Sequence, residues 1–278
     1  MTFRTILAVT GIDENDSDLK LVASLCREVD AHLSVFVVAL AAPPPIGEYA
    51  AMVSDAWAQE RQADLARLKE RTAAVSDFLA GTGQPADVSN DYPELSWADE
   101  SIGRRARYAD LTVVGPVMLA GDVLKGKIIE GALFHSGKPL LLIPEGGRAT
   151  LKPRRVMVAW DPRIEASRAV AESRDILVGA DEVRLALVDP LEGEVSFGAE
   201  PGADAATYLA RLGAKVQVDR LPSEGNTVAS ILRRHAVDCA ADMLVMGAYG
   251  HSRLRQRILG GVTRSMIDAP PLPVLMAR

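Results

Sequence analysis

The chain has 278 residues, of which 48% are hydrophobic and 24% charged, and its formal net charge is −6. These values are typical of a globular protein that forms one large domain or two of ordinary size. The negative charge argues against a broad nucleic-acid surface, and no apolar run is as long as a membrane span.

The two cysteines and the N-terminal residues indicate the cellular compartment of the protein. Cys26 and Cys239 lie far apart within helical patterns, which favours free thiols over a disulfide. The apolar run at the N-terminus is too short for a secretory signal and is typical of a first strand. We therefore expect a cytoplasmic protein.

Strand-like apolar runs alternate with helical patterns along the whole chain. In the first half, strands are expected at residues 5–9, 33–38, 110–115 and 139–144, with an edge strand after residue 85. In the second half, strands are expected at residues 155–161, 182–188, 215–218, 242–247 and 273–276. Helices are expected near residues 19–26, 57–75, 101–106, 165–177, 205–212 and 228–236.

The second half repeats the order of the first. Residues 109–115 match residues 241–247, and Gly126 and Gly260 each precede a strand-opening proline by 13 positions. A repeat of this length indicates two copies of one domain, expected at residues 1–147 and 153–278. Alternating strands and helices predict an α/β fold, with a mostly parallel sheet between two layers of helices in each copy.

A glycine pattern follows the most apolar strand of the second half. The strand ends at Gly247, Gly250 follows three residues later, and Gly260 precedes a helical segment. Glycine allows close backbone approach to an anion, and the N–H groups that open a helix point at it. The pattern fits a phosphate chain; two ordinary turns of an α/β protein are the alternative.

These residues resemble the ATP-binding branch of the universal stress protein family, whose fingerprint is Gly-x2-Gly-x9-Gly followed by Ser or Thr. The resemblance extends over the chain as a tandem pair of Rossmann-like domains with five-stranded sheets, and it is stronger in the second copy. It implies that Asp161 holds the nucleoside, that Ala159 lines the adenine slot and that the backbone of Val188 contacts adenine. The same resemblance implies phosphate binding by the glycines and the following helix start, namely Gly247, Gly250, Gly260, Gly261, Val262 and, if the helix start is shifted, Thr263.

The second copy departs from the fingerprint at one position. Gly261 stands where the family has Ser or Thr, and a lost hydroxyl bond to phosphate, worth about 1.5–3 kcal/mol, weakens binding about 10- to 150-fold. Arg253, Arg255 and Arg257 either offset this loss or form a solvated basic face. Asp161 also has a second interpretation, as the cap of the next helix.

The first copy lacks the features of a nucleotide site. Thr10 is assigned to the position of the aspartate, and Met118 replaces the second glycine. Gly115 and Gly126 are 11 positions apart, against 13 for Gly247 and Gly260. We expect no nucleotide there and a structural role instead, in which the last strands of the two copies pair as an intramolecular pseudo-dimer. Further association into a homodimer is left open.

The leading hypothesis is an ATP-binding stress-response protein with one site in the second copy, taking ATP alone or with Mg²⁺. Nucleotide occupancy would act as a signal, with at most slow ATP hydrolysis, because no water-activating base is identifiable. A nucleotide-free interaction module is the second hypothesis, and an adenylating ligase or transferase is the third. A P-loop-like stretch at residues 121–127 is set aside because Ile128 replaces its Ser or Thr, and the four histidines lack metal-ligand spacing.

Overall fold

The apolar runs of the sequence form buried, mainly parallel strands in both halves of the chain. The structure is a computed structural model that describes residues 3–46, 50–121, 123–190, 200–249 and 261–278, with the backbone alone for residues 50–53. The described residues divide into two units, Phe3–Ser136 and Gly137–Arg278. Within them, no helix is both long and apolar enough to cross a membrane.

The first unit is an α/β domain whose described strands all run parallel, in the order β3-β2-β1-β4. Its elements in chain order are β1 (Thr5–Gly11), α1 (Ser17–Val29), β2 (His32–Val38), α2 (Ala50–Ala80), β3 (Ala86–Asp91), a 3₁₀ turn (Leu95–Trp97), α3 (Ala98–Ala106), β4 (Leu111–Val114), α4 (Pro116–Ala120), α5 (Val123–Glu130) and a π-helical turn (Gly131–Ser136).

The second unit is also an α/β domain, but it has six described strands against four in the first unit, in the order β5-β10-β9-β6-β7-β8. The expected five strands in each copy become four and six because β5 groups with the second unit. Its elements are β5 (Leu140–Leu142), β6 (Arg155–Ala159), α6 (Ile164–Glu172), α7 (Arg174–Gly179), β7 (Glu182–Val188), α8 (Ala203–Leu212), β8 (Val216–Leu221), α9 (Val228–Asp238), β9 (Met243–Gly247), α10 (Gly261–Asp268) and β10 (Val274–Ala277). The central strands are buried along nearly their whole length, whereas β8 at the edge alternates between half-buried and exposed residues. Burial on both faces is what a parallel sheet covered by helices requires.

The strand β5 runs antiparallel to β10, and all the other described strand pairs of this unit are parallel. Leu142 lies opposite Val274, and Leu140 lies opposite Met276. The predicted pairing of these two segments is therefore confirmed. Because of this pairing, β5 groups with the second unit, although the sequence repeat assigns it to residues 1–147.

One predicted helix is interrupted. The pattern over residues 165–177 forms two helices, α6 and α7, which meet at Ser173. The Ser173 hydroxyl donates to the Ala169 carbonyl oxygen at 2.6 Å, a back-bonding geometry that bends helices. Hydrophobic periodicity continues through such a break, so the pattern alone does not locate it.

Candidate functional site

A cavity of about 360 Å³ opens in the second unit, where β6, β7 and β9 end. Parallel α/β sheets bind ligands at the carboxyl ends of their strands, so this is the expected place for a site. Seven of the nine predicted site residues line it, namely Ala159, Asp161, Val188, Gly247, Gly261, Val262 and Thr263. The other two, Gly250 and Gly260, lie outside the described residues.

Asp161 lies on the cavity wall just beyond the end of β6 and forms an ion pair. Its Oδ2 lies 3.5 Å from Nε of Arg163, and both side chains are close to half exposed. The helix α6 begins at Ile164, and Arg163 occupies its N-cap position. The alternative interpretation of Asp161 as the helix cap therefore does not hold, and its carboxylate remains on the cavity wall.

Val188 ends β7 and turns its backbone toward the neighbouring strand β6. On the side of β7 that faces β8, Asp189 donates its N–H to the carbonyl oxygen of Leu221. On the side that faces β6, the carbonyl oxygen of Ala186 accepts the N–H of Trp160. Because backbone groups alternate along a strand, the N–H and C=O of Val188 face the same side as those of Ala186. The strand β6 has ended by this level, at Ala159, so this backbone edge borders the cavity.

Gly247 has a packing role in addition to its place on the cavity wall. A Cβ at this position would lie 2.6 Å from the backbone nitrogen of Ala166 and 2.6 Å from the carbonyl carbon of Glu165. The end of β9 therefore touches the backbone of the first turn of α6. From the sequence, the glycine at position 247 was expected to allow an anion to approach the backbone closely. In the structure, the backbone of α6 makes this close approach.

The described part of α10 spans Gly261–Asp268, and the residues directly before it lie outside the described ranges. A Cβ at Gly261 would meet no atom of the described residues within 4 Å. Thr263 is only 5% exposed, and its Oγ1 accepts the N–H of Tyr249 at 3.3 Å. Tyr249 has a φ of 60°, a conformation that non-glycine residues adopt rarely and mainly where the surroundings impose it. The first turn of α10 is thus tied to the end of β9.

Several other lining residues were not predicted from the sequence: Trp160, Arg163, Glu165, Val228, Leu232, Met246 and Tyr249. Trp160, Met246 and Tyr249 adjoin a predicted site residue in the chain, and Arg163 and Glu165 follow Asp161 within four positions. Val228 and Leu232 belong to α9, which only the fold brings to this wall.

The same side-chain contact occurs in both units and shows which of their residues are equivalent. In the first unit, Asp110 Oδ2 accepts the N–H of Thr5 at 3.0 Å. In the second unit, Asp242 Oδ2 accepts the N–H of Arg155 at 2.9 Å. Asp110 and Asp242 occupy matching places in the sequence repeat, so Thr5 and Arg155 are equivalent.

Counting from that contact, Gly11 rather than Thr10 is equivalent to Asp161. The sequence alignment was wrong by one residue at this position. The error arose because two apolar strands can be aligned almost equally well with a shift of one residue. Only a side-chain contact distinguishes the two alignments.

The equivalent region of the first unit is filled by its own carboxylates. Asp18 accepts the N–H of Val117 at 3.1 Å through Oδ1 and that of Met118 at 2.9 Å through Oδ2. A Cβ at Gly115 would lie 2.4 Å from the Asp18 carboxyl carbon. The backbone donors after β4 are therefore satisfied from within the chain.

A second carboxylate lies beside the end of β1. Glu14 Oε2 accepts the N–H of Gly11 at 2.6 Å and the hydroxyl of Thr10 at 3.1 Å. Burial raises the pKa of Glu14 above its ordinary value, against these hydrogen bonds, which lower it. The position equivalent to Asp161 is thus covered by an internal acid.

Comparisons with known proteins agree with this architecture. Residues 153–278 match the universal stress protein family. A universal stress protein of Synechocystis is 36% identical over 74 residues, which are 27% of this chain and 25% of that relative's length. The chain thus covers only a quarter of that relative.

Solved structures resemble the chain over nearly its whole length. A universal stress protein from Archaeoglobus fulgidus superposes with a TM-score of 0.64 and 18% identity, covering 99% of this chain and 96% of that one. A functionally unknown protein from Pseudomonas aeruginosa gives 0.60 and 14%, covering 99% and 92%. At these identities the likeness establishes the fold. The match to the universal stress protein family itself extends over residues 153–278.

Proposed function

We propose that the second unit binds an adenine nucleotide, with ATP as the leading candidate, and that the protein acts as a cytoplasmic stress-response or signalling protein. The observation that carries this proposal is the convergence of Asp161, the backbone edge of Val188 and the start of α10 on one cavity. These three supply a carboxylate for ribose hydroxyls, a backbone edge for a base and helix N–H groups for phosphate.

The chemistry of the wall fits a nucleoside. Ala159, Ala186 and Met246 give it an apolar part, and Asp161 adds an acceptor on one side. A largely apolar pocket with a few placed polar groups is typical of small-molecule sites. A volume of about 360 Å³ lies within the range of such pockets.

One site per chain follows from the contrast between the units. Asp18 and Glu14 occupy the backbone donors of the first unit, and an anionic ligand there would have to displace a carboxylate. We therefore propose a structural role for the first unit.

Nucleotide occupancy would serve as a signal. The contact between Tyr249 and Thr263 joins the end of β9 to α10, so a ligand on this wall would change how these two segments pack. Such a change alters a docking surface without requiring a chemical step. We propose at most slow hydrolysis of ATP, because occupancy alone is enough for such a signal.

A nucleotide-free interaction module is the second candidate, and two observations favour it. Gly261 removes the hydroxyl that the fingerprint supplies, and the two acids on the described wall, Asp161 and Glu165, outnumber its one base. Under this alternative the family fold is retained for association with a second copy or another protein.

Isothermal titration with ATP, with and without Mg²⁺, separates the two candidates. We expect saturable heat with a stoichiometry of one per chain and loss of that heat in Asp161→Ala. No heat at millimolar ATP, from protein with an intact melting transition, would favour the interaction module.

A further inference from the structure

We propose that Arg163 is a phosphate-binding residue of this site and that it sets a preference for nucleotides over nucleosides. The inference rests on the proposed function and adds a residue that the glycine fingerprint does not contain. It identifies the charged part of the ligand as the part that Arg163 recognises.

The charges of the cavity wall lead to Arg163. Two carboxylates, Asp161 and Glu165, lie on the wall, and Arg163 is the one Lys or Arg among its described residues. A polyphosphate entering this wall meets net negative charge unless a cation faces it. A guanidinium suits this task because its fork of N–H donors matches phosphate oxygens and it stays charged at every physiological pH.

Backbone contacts place Arg163 near the other phosphate donors. Gly247 touches the first turn of α6, at Glu165 and Ala166. Two residues after Gly247, the N–H of Tyr249 bonds to Thr263 in the first turn of α10. The N-terminal turns of α6 and α10 therefore flank the same short stretch at the end of β9.

The start of α6 adds positive potential at this edge of the cavity. The positive end of its helix dipole lies at the turn that touches Gly247. Arg163 immediately precedes α6, so its side chain adds a full charge to that dipole.

The ion pair with Asp161 positions the guanidinium. Nε of Arg163 lies 3.5 Å from Asp161 Oδ2, so the guanidinium is held beside this carboxylate on the cavity wall. One carboxylate can then accept from ribose hydroxyls while its cationic partner contacts the phosphate attached to that ribose. This arrangement offsets the hydroxyl that Gly261 lacks.

The test compares ATP with adenosine in three proteins: the wild type, Arg163→Gln and Arg168→Gln. Arg168 is the matched control, because it belongs to the same helix but bonds to the carbonyl of Arg278 and does not line the cavity. Each variant removes one positive charge, so a general change in net charge cannot explain a difference between them. Calorimetric affinities for both ligands and melting temperatures are measured.

We expect Arg163→Gln to weaken ATP binding about 10- to 150-fold, the loss of a charge-assisted hydrogen bond. Adenosine binding should stay unchanged or tighten slightly, and Arg168→Gln should match the wild type. Unchanged ATP affinity in Arg163→Gln, or an equal loss for ATP and adenosine, would overturn the inference while leaving the proposed function intact. A wild type that binds neither ligand would overturn the proposed function itself.

Discussion

Gly247 and Glu165 are in direct backbone contact: a Cβ on Gly247 would lie 2.6 Å from the carbonyl carbon of Glu165. The end of β9 and the first turn of α6, which both border the cavity, are therefore packed without space for a methyl group. This contact makes Gly247 a packing residue as well as part of the cavity wall.

Gly247→Ala should destabilise the second unit by about 1–3 kcal/mol, because backbone atoms have to move to admit the methyl group. Urea unfolding followed by circular dichroism measures the change. Gly179→Ala is the control, since a Cβ there meets no atom of the described part of the chain within 4 Å and the substitution is expected to be neutral or stabilising by about 0.4–1 kcal/mol. Equal stability of the two variants would show that the α6 contact is not tight.

Gly261→Ser should tighten ATP binding about 10- to 150-fold by restoring the hydroxyl of the fingerprint. The described residues accommodate the side chain, because none of them has an atom within 4 Å of a Cβ at Gly261. Gly261→Ala adds the same Cβ without the hydroxyl and should leave the affinity near that of the wild type. A gain in both variants would point to helix stabilisation instead of a phosphate contact.

Asp18→Asn should destabilise the first unit by about 1.5–3 kcal/mol, the usual value of hydrogen bonds to a charged group. The carboxylate accepts two backbone N–H groups, and an amide would turn its own donor toward one of them. Hydrogen exchange should become faster at the amides of Val117 and Met118. Asp77→Asn, on an exposed part of α2, should change neither quantity; unaltered exchange in Asp18→Asn would refute the structural role of this carboxylate.

Gly11→Asp should not create a second nucleotide site, although it restores an aspartate at the position equivalent to Asp161. A Cβ at Gly11 would lie 3.1 Å from Glu14 Oε1, so the new carboxylate would face an existing one. Titration should still give one ATP per chain. A stoichiometry of two would contradict the view that internal acids occupy the first unit.

Cys26 should resist alkylation in the folded protein. Burial raises the pKa of its thiol to about 12, so the reactive thiolate is scarce at neutral pH. Burial also raises the pKa of Cys239, which is partly exposed. Iodoacetamide followed by mass spectrometry should label Cys26 only after denaturation, whereas rapid labelling at pH 7 would show that α1 opens readily.

The sequence predicted most of the fold because its strands are short apolar runs separated by turn residues. It also located the cavity, since the ends of parallel strands form one edge wherever the strands pair. Three features needed coordinates. The break at Ser173 depends on a side-chain hydrogen bond to the preceding turn. The equivalence of Gly11 and Asp161 depends on one side-chain contact in each unit. The contact of Gly247 with α6 depends on the packing of a helix on a strand.

Site residues outside the fingerprint were the hardest to predict. Trp160 and Tyr249 adjoin predicted residues, yet nothing in their spacing distinguishes a cavity wall from a core. Arg163 looks like an ordinary helix-start residue until its ion pair with Asp161 and its place on the wall are visible. Residues that come together only in the folded protein are hard to recognise as neighbours in a single sequence.

The central claim is that the second unit, and not the first, holds the nucleotide. Photolabelling with 8-azido-ATP, followed by peptide mass spectrometry, tests this most directly. We predict labelled peptides from Gly137–Arg278, in particular from the ends of β6 and β7, with labelling abolished by excess ATP. Labelling within Phe3–Ser136, or labelling that excess ATP does not prevent, would contradict the account.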